Sequence, residues 1–531
     1  MSTTDPSLPQ YSSMSDDEIR LAKLGYKQGL KRQFSAFQNF GFVLTNASVL
    51  IGVIPLFGFG MAAGGPLALT WGWLIVSAFV LCIGLCMAEI CSTYPTAGGL
   101  YYWTAKLGGP TYGPVFSWFE AWFNALGQIA GCSGSVLAAA QLLAEVIRVA
   151  NGSVLSAYAV YGIFCAMVVA GAAVSSAGGS ALKVTSIASV WIHILGTVVI
   201  VITVLATCTD KNSTSFVFSQ FEDGLGATAE GFAPGLVFLI GLLPSQWSLL
   251  GYDSSAHMSE ETEASYVNGP RGIVYTIIAA VLMGWALILG MTYSLGSYDD
   301  AIAVYNDGGS VASYVFTRNA GQAGGICLLM IVVAAGFACG VGTLTANSRM
   351  FYAFARDGGL PGSPFWIKLD QRSGMPVRLV WLSAICVMII AIPSMFSVAA
   401  LTAVSGISVI GFMVSYSIPV FLRITVGEKN GFVQSEFNLG RWSTLLGWMG
   451  CIWTLLATIL FNFPQAYPVS AATLNYTPVA VGGMIAFAGG WWLLGARKWF
   501  KGPVSDITEP SSSVKTIGDE SPAETVNVKT I

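Results

Sequence analysis

Only one residue in ten is charged: 24 Lys and Arg and 27 Asp and Glu among 531, a net charge of −3. That leaves no basic field for nucleic acid. Histidine occurs twice, as His193 and His257, and the ten cysteines are dispersed through apolar stretches with no CxxC pair and no Cys/His spacing suited to a metal. The cysteines are therefore expected to pack as small hydrophobes. Neither GxSxG nor HExxH occurs, so the constellations from which a membrane enzyme is built are missing, and no metal or other cofactor is expected. The first 33 residues are polar and charged, without the apolar core of a cleavable signal, so the first apolar span is expected to direct insertion.

What is present is apolar. Hydrophobic residues make up 54% of the chain, more than a soluble domain of this length carries. Stretches able to cross about 30 Å of hydrocarbon recur near 34–57, 67–90, 114–145, 155–177, 184–207, 234–257, 273–296, 322–352, 378–396, 400–422, 444–463 and 477–496. The expectation is an all-α polytopic membrane protein of about twelve transmembrane helices, two of which, 114–145 and 322–352, are long enough to tilt. With a cytoplasmic N-terminus, all but three of the 24 basic residues fall in cytoplasmic segments; Arg148, Lys211 and Arg318 are the exceptions. That bias places both termini in the cytoplasm. Sequons at Asn151 and Asn212 fall on the opposite side and are candidate glycosylation sites. Asn46 also begins a sequon but lies within the first span, and Asn475 lies too near the bilayer. Residues 1–33 and 499–531 are expected to be solvated, disordered cytoplasmic tails.

The sixth span is unusual. Between Phe238 and Glu261 it reads FLIGLLPSQWSLLGYDSSAHMSEE, a helix interrupted at Gly251 and carrying Asp253 and His257 at membrane depth. A helix break and a carboxylate are both costly in lipid, so such a segment usually lines a solute pathway. The first span has a similar layout, with Gly52 in SVLIGV followed by Gly65-Pro66; Gly251 is followed by Gly269-Pro270. Five spans separate the two, which suggests two halves of opposite topology, 34–207 and 234–422, followed by an extra pair of spans at 444–498.

Three longer runs, MAEICSTYPTAGGLYYW at 87–103, HMSEETEASYVNGPRGI at 257–273 and NSRMFYAFARDGGLPGSPFW at 347–366, resemble the amino acid/choline transporter branch of the amino acid–polyamine–organocation superfamily. The run LGYKQGLKRQFSAFQNFG at 24–41 is similar to fungal permeases for 4-aminobutyrate. The resemblance implies a leucine-transporter-like fold of two five-helix inverted repeats plus two helices. It also implies proton-coupled uptake of a small amino-group solute, whose partners are that substrate, the coupling proton and membrane lipid. Oligomeric state has no mark in the sequence, and the plasma membrane is preferred to the vacuole. A choline-like or polyamine cation is the rival substrate, and a non-transporting nutrient receptor the remote alternative.

The resemblance also assigns a site. Ser48, Leu50, Ile51 and Gly52 are expected to form the unwound part of span 1, with Gly52 at the break and freed N–H groups receiving a carboxylate. In span 6, Trp247 corresponds to an aromatic gate, Gly251 and Tyr252 to the break, and Asp253 to an acidic residue that pairs an ammonium or carries a proton. His257, at i+4, is expected to share a face with Asp253. Asn124 and Gln128 in span 3 are pocket amides, and His193 in span 5 lies near a lysine position of some relatives, which makes it a second proton-coupling candidate. Thr402 and Ser405 are weaker candidates, because hydroxyls also bond helical carbonyls. Glu89, Arg356 and Asp357, with Glu260 and Glu261, are expected at the cytoplasmic face as gating charges or as plain solvated ends.

Overall fold

The computed structural model describes residues 14–26, 28, 32, 34–397, 399–470 and 473–503, and most of the expected C-terminal tail lies outside them. Among the described residues there is no strand ladder, only isolated bridges at Phe34–Thr262 and Ala63–Asp223. Eleven helices among the described residues are long and apolar enough to cross a membrane. The twelfth expected crossing is the segment 234–257, which is broken into pieces too short to qualify alone.

Span 1 comprises Ala36–Asn46, Val49–Val53 and Phe57–Ala62; span 2 is Gly65–Thr93, span 3 Gly99–Asn151, span 4 Ala157–Ser176 and span 5 Gly179–Thr207. Span 6 comprises Pro234–Ile240, Leu243–Ser248 and Ser254–His257; span 7 is Ser265–Tyr293, span 8 Val311–Arg356, span 9 Val377–Ile390 and span 10 Ala400–Leu422. Span 11, Trp442–Leu460, and span 12, Thr477–Trp491, complete the set.

The first ten spans repeat one layout. Spans 1 and 6 are both broken, and spans 2 and 7 are both 29 residues long, each starting from a left-handed residue, Gly64 and Ala264. Spans 3 and 8 are each kinked near their start, at Gly109 and Gly321. The packing partners correspond too: span 2 lies on span 7, span 3 on span 8, and the contact of span 3 with span 10 is matched by that of span 8 with span 5. The Gly-Pro pairs are a poorer guide than expected. Pro66 lies in the first turn of span 2, whereas Pro270 lies inside span 7. The corresponding residues are the two left-handed caps.

Packing follows the membrane environment, where small residues let helices approach. A side chain at Gly127 of span 3 would stand 2.7 Å from the Phe412 nitrogen of span 10, so the two backbones cross there in near contact. Span 5 has two faces. Ser189, His193, Gly196 and Ile200 are buried in the bundle, while Trp191, Leu195, Val198 and Ile202 are exposed where lipid chains would lie.

The N-terminal segment departs from the expected free tail. Ser15 and Glu18 form a capping box that starts a helix at Asp16–Lys23. Arg20 lies 3.6 Å over the Tyr266 ring and 3.0 Å from Glu436. Asp17 accepts the Ala264 N–H at 2.8 Å, and Tyr102 donates to the Leu24 carbonyl at 2.9 Å. Phe34 then exchanges backbone hydrogen bonds with Glu261 and Glu263. Residues 15–34, where described, therefore strap the end of the bundle formed by the span 6–7 turn.

Candidate substrate site

In span 6 the helix ends at Ser248 and resumes at Ser254, with Gly251 at φ +85° between them. That backbone conformation suits glycine, and a Cβ there would stand 3.0 Å from the Asn46 carbonyl oxygen. The breaks of spans 1 and 6 therefore lie directly against one another. The freed Gly251 N–H donates to the Tyr416 hydroxyl at 3.1 Å.

Span 1 is unwound at Ala47 and Ser48, which have ψ 47° and 96°, and not at Gly52 as expected. Gly52 is helical, with its N–H on the Ser48 carbonyl at 2.9 Å. Its missing side chain serves packing instead, since a Cβ there would stand 2.7 Å from Ser248 Cα. Tertiary partners account for where the helix opens. The Cys339 thiol reaches the Asn46 carbonyl at 3.7 Å, and the Ser48 hydroxyl meets His193 Nε2 at 2.5 Å. The other His193 nitrogen lies 2.8 Å from the Ser189 carbonyl, which can only accept. Nδ1 therefore carries a hydrogen, and Nε2 of the neutral ring can receive the Ser48 hydrogen.

A small cavity of about 30 Å³ opens at the meeting of the two breaks. Ser48, Ile51 and Gly52 line it from span 1, and Trp247 and Gly251 from span 6. Ser135 of span 3, Thr343 of span 8 and Phe412 of span 10 complete much of the wall, and no lining side chain is charged. Asn46 also lines it; it is 93% buried, and neither its amide oxygen nor its amide nitrogen has a hydrogen-bond partner among the described residues. The sequence showed this residue only as a sequon inside a span. The rest of the expected set lies elsewhere. Leu50 turns toward Gly196 of span 5, and Tyr252 packs on Tyr416 with ring centroids 4.8 Å apart. Thr402 and Ser405 bond their own helix carbonyls, and Ser408, one turn on, is the hydroxyl of span 10 at the cavity.

Asp253, Asn124 and Gln128 form a second cluster outside the cavity lining. Asp253 is fully buried, and its oxygens accept from Tyr416 (2.7 Å), Gln128 (3.0 Å) and Asn124 (3.3 Å), with His257 Nε2 also at 3.3 Å. Contrary to the expected role as partner to an ammonium, this carboxyl is saturated by protein groups. The expected face shared with His257 is present. His257 Nδ1 points at the Ala97 carbonyl at 3.2 Å and so carries a hydrogen. A bond between Nε2 and Asp253 then needs one more proton, on either partner.

Sequence reading missed Glu120, one turn before Asn124. It is fully buried and accepts from Ser415 at 2.6 Å, and Ser415 in turn accepts from Asn124 at 3.0 Å. A chain of hydrogen bonds thus runs from Glu120 to Asp253. An acid four residues before a polar amide inside an apolar span was the available signal.

The gating candidates find separate partners. Glu89 accepts from Ser443 (2.6 Å) and stands 3.6 Å from Arg423, tying span 2 to the start of span 11 and to the turn that follows span 10. Arg356 lies 4.0 Å over the Tyr26 ring. Glu260 accepts the Ala97 N–H at 3.2 Å; burial pushes its carboxyl above the usual range, and Arg356 opposes that shift. Glu261 is not a solvated helix end: it pairs with Arg349 at 3.0 Å, both residues 1% exposed. Asn151 is exposed at the last position of span 3, whereas the Asn212 amide nitrogen donates to the Thr292 carbonyl at 3.1 Å.

A family model described as "Amino acid permease" matches residues 34–486. Amino-acid permease BAT1 of Arabidopsis thaliana is 40% identical over 93% of this chain and 97% of its own length. Its rice homolog, from Oryza sativa subsp. japonica, is 40% identical over 92% and 95%. The GABA-specific permease of Saccharomyces cerevisiae is 30% identical over 94% and 87%. Two broken spans with a cavity between them suit the same conclusion as these matches: the chain belongs to the amino acid permease family and is a multi-pass membrane transporter rather than an enzyme.

Proposed function

We propose that this permease imports a small amino acid, of the 4-aminobutyrate kind, by proton symport across the plasma membrane with both termini in the cytoplasm. The observation that carries the substrate reading is the cavity: mainly apolar with a few hydroxyls and the Asn46 amide, free of charged side chains, and bounded by two helix ends of opposite polarity. The first N–H groups of the helix beginning at Val49 and the last carbonyls of the one ending at Ser248 have no partner within their own helix. A zwitterion brings a carboxylate to the first and an ammonium to the second without adding net charge, and Asn46 supplies a donor and an acceptor beside it. Choline or a polyamine brings a positive charge that no lining side chain offsets, because Asp253 is engaged elsewhere. The organic-cation reading therefore ranks second. The yeast relative is a GABA-specific permease, which supports 4-aminobutyrate within the amino acids. Proton coupling draws support from the buried ionisable groups beside the breaks, His193 at Ser48 and Asp253 with His257 after Gly251.

A competition panel on the purified protein tests the substrate class. Thermal unfolding would be followed with 4-aminobutyrate, its amide, its decarboxylated analogue, other amino acids, choline and polyamines, since a ligand stabilises in proportion to its occupancy. Stabilisation by 4-aminobutyrate and not by its amide or amine supports the reading. Choline or a polyamine outperforming every amino acid replaces it with the cation reading.

A further inference from the structure

The sharpest unassigned feature is Glu120, and what it implies rests on the proton-symport reading. Glu120 and Asp253 are both fully buried but differently served. Asp253 is met by four polar groups on two oxygens, an arrangement that solvates an anion. Glu120 Oε1 accepts one hydroxyl hydrogen from Ser415, and Oε2 has no partner among the described residues. No Lys, Arg or His among them pairs with Glu120. The charged group that acts on it across the packing is Asp253, from span 6. Beyond Asp253 stand His257 on the same span and Tyr416 on span 10, both bonded to it. An ionised Glu120 here would be an uncompensated buried anion facing a second carboxylate, so in this arrangement the proton sits on Oε2.

We propose that Glu120 carries the coupling proton. In the arrangement described it is loaded as the neutral acid. When spans 3 and 10 part enough for water to reach Oε2, the O–H bond breaks, the proton passes to that water, and the electron pair stays on the carboxylate. Water on the opposite side returns a proton in the next half-cycle. The readout to the substrate site runs through Ser415, whose single hydrogen goes to Glu120 while its lone pair holds Asn124 against Asp253. Asp253 remains the fixed anchor of the span 6 break, and Glu120 changes charge.

The test uses the full chain in proteoliposomes with radiolabelled 4-aminobutyrate, measuring exchange at equal pH on both sides and accumulation driven by an inward proton gradient. In Glu120→Gln, exchange should persist, while gradient-driven accumulation falls by about 5–150-fold, the range of a typical coupling energy, and the pH profile of uptake flattens. A variant that accumulates substrate with the wild-type pH profile overturns the proposal. Wild-type protein that exchanges without responding to the gradient instead shows the symport reading itself to be wrong. If Glu120→Gln does not fold, Ser415→Ala keeps the acid and cuts the bridge. It should shift the pH midpoint of uptake with exchange preserved, and an unchanged midpoint counts against Glu120.

Discussion

Gly251→Ala probes the contact on which the site depends. Gly251 has φ +85°, where an alanine costs about 1–2 kcal/mol from backbone sterics alone. Its new methyl would also stand 3.0 Å from the Asn46 carbonyl oxygen and 3.1 Å from the carbonyl carbon, close to backbone that has no rotamer to change. Overpacking of that kind costs about 1–3 kcal/mol, for a total of about 2–5 kcal/mol. Gly226→Ala is the control, because Gly226 has φ +72° but nothing within 4 Å of where its new methyl would stand, so only the backbone part remains. Thermal unfolding of the two purified variants separates the terms, and Gly251→Ala should unfold at clearly lower temperature than Gly226→Ala. Because the displaced group belongs to Asn46, which lines the cavity, apparent substrate affinity should also fall by about tenfold for each 1.4 kcal/mol lost at the site. Equal unfolding temperatures, with unchanged uptake kinetics in both variants, would refute the direct apposition of the two breaks.

Asp253→Asn places an amide among three donors or beside a Tyr416 hydroxyl already accepting from Gly251, so at least one buried hydrogen goes unpaired at about 1–3 kcal/mol. It should abolish uptake and lower thermal stability measurably; normal uptake would return Asp253 to a purely structural place. Arg349→Ala strands Glu261 as a buried charge, costing about 3–5 kcal/mol. Arg349→Met with Glu261→Leu should recover most of it in the same unfolding assay. Expressed in a eukaryotic host, the protein should lose a glycan-dependent gel shift on Asn151→Gln but not on Asn212→Gln, because the Asn212 nitrogen is already engaged.

The spans were legible because a lipid-crossing helix must be long and continuously apolar, and so was the break at Gly251, where a glycine, a charge and a histidine interrupt such a run. The pairing of Asp253 with His257 followed from helical spacing alone. The local pattern puts the opening of span 1 four residues too late. Gly52 looks like the weak point, but the helix opens where Cys339 and His193, from spans 8 and 5, take over groups of Asn46 and Ser48, and no local pattern records those partners. Asp253 points to the substrate in the sequence because an intramembrane acid suggests an exposed charge; its four neighbours come from three spans and appear only on folding. The docking of residues 15–24 has a local mark in the capping box of Ser15 and Glu18, easily overlooked in a segment judged by its charge. Glu120 lies just inside a span and is overshadowed by the amides after it.

Uptake of radiolabelled 4-aminobutyrate into proteoliposomes against its own gradient tests directly whether an amino acid site is coupled to protons. An inward proton gradient should drive accumulation that a protonophore abolishes and that sodium does not replace. Accumulation that survives the protonophore, or that requires sodium, would rule out proton coupling.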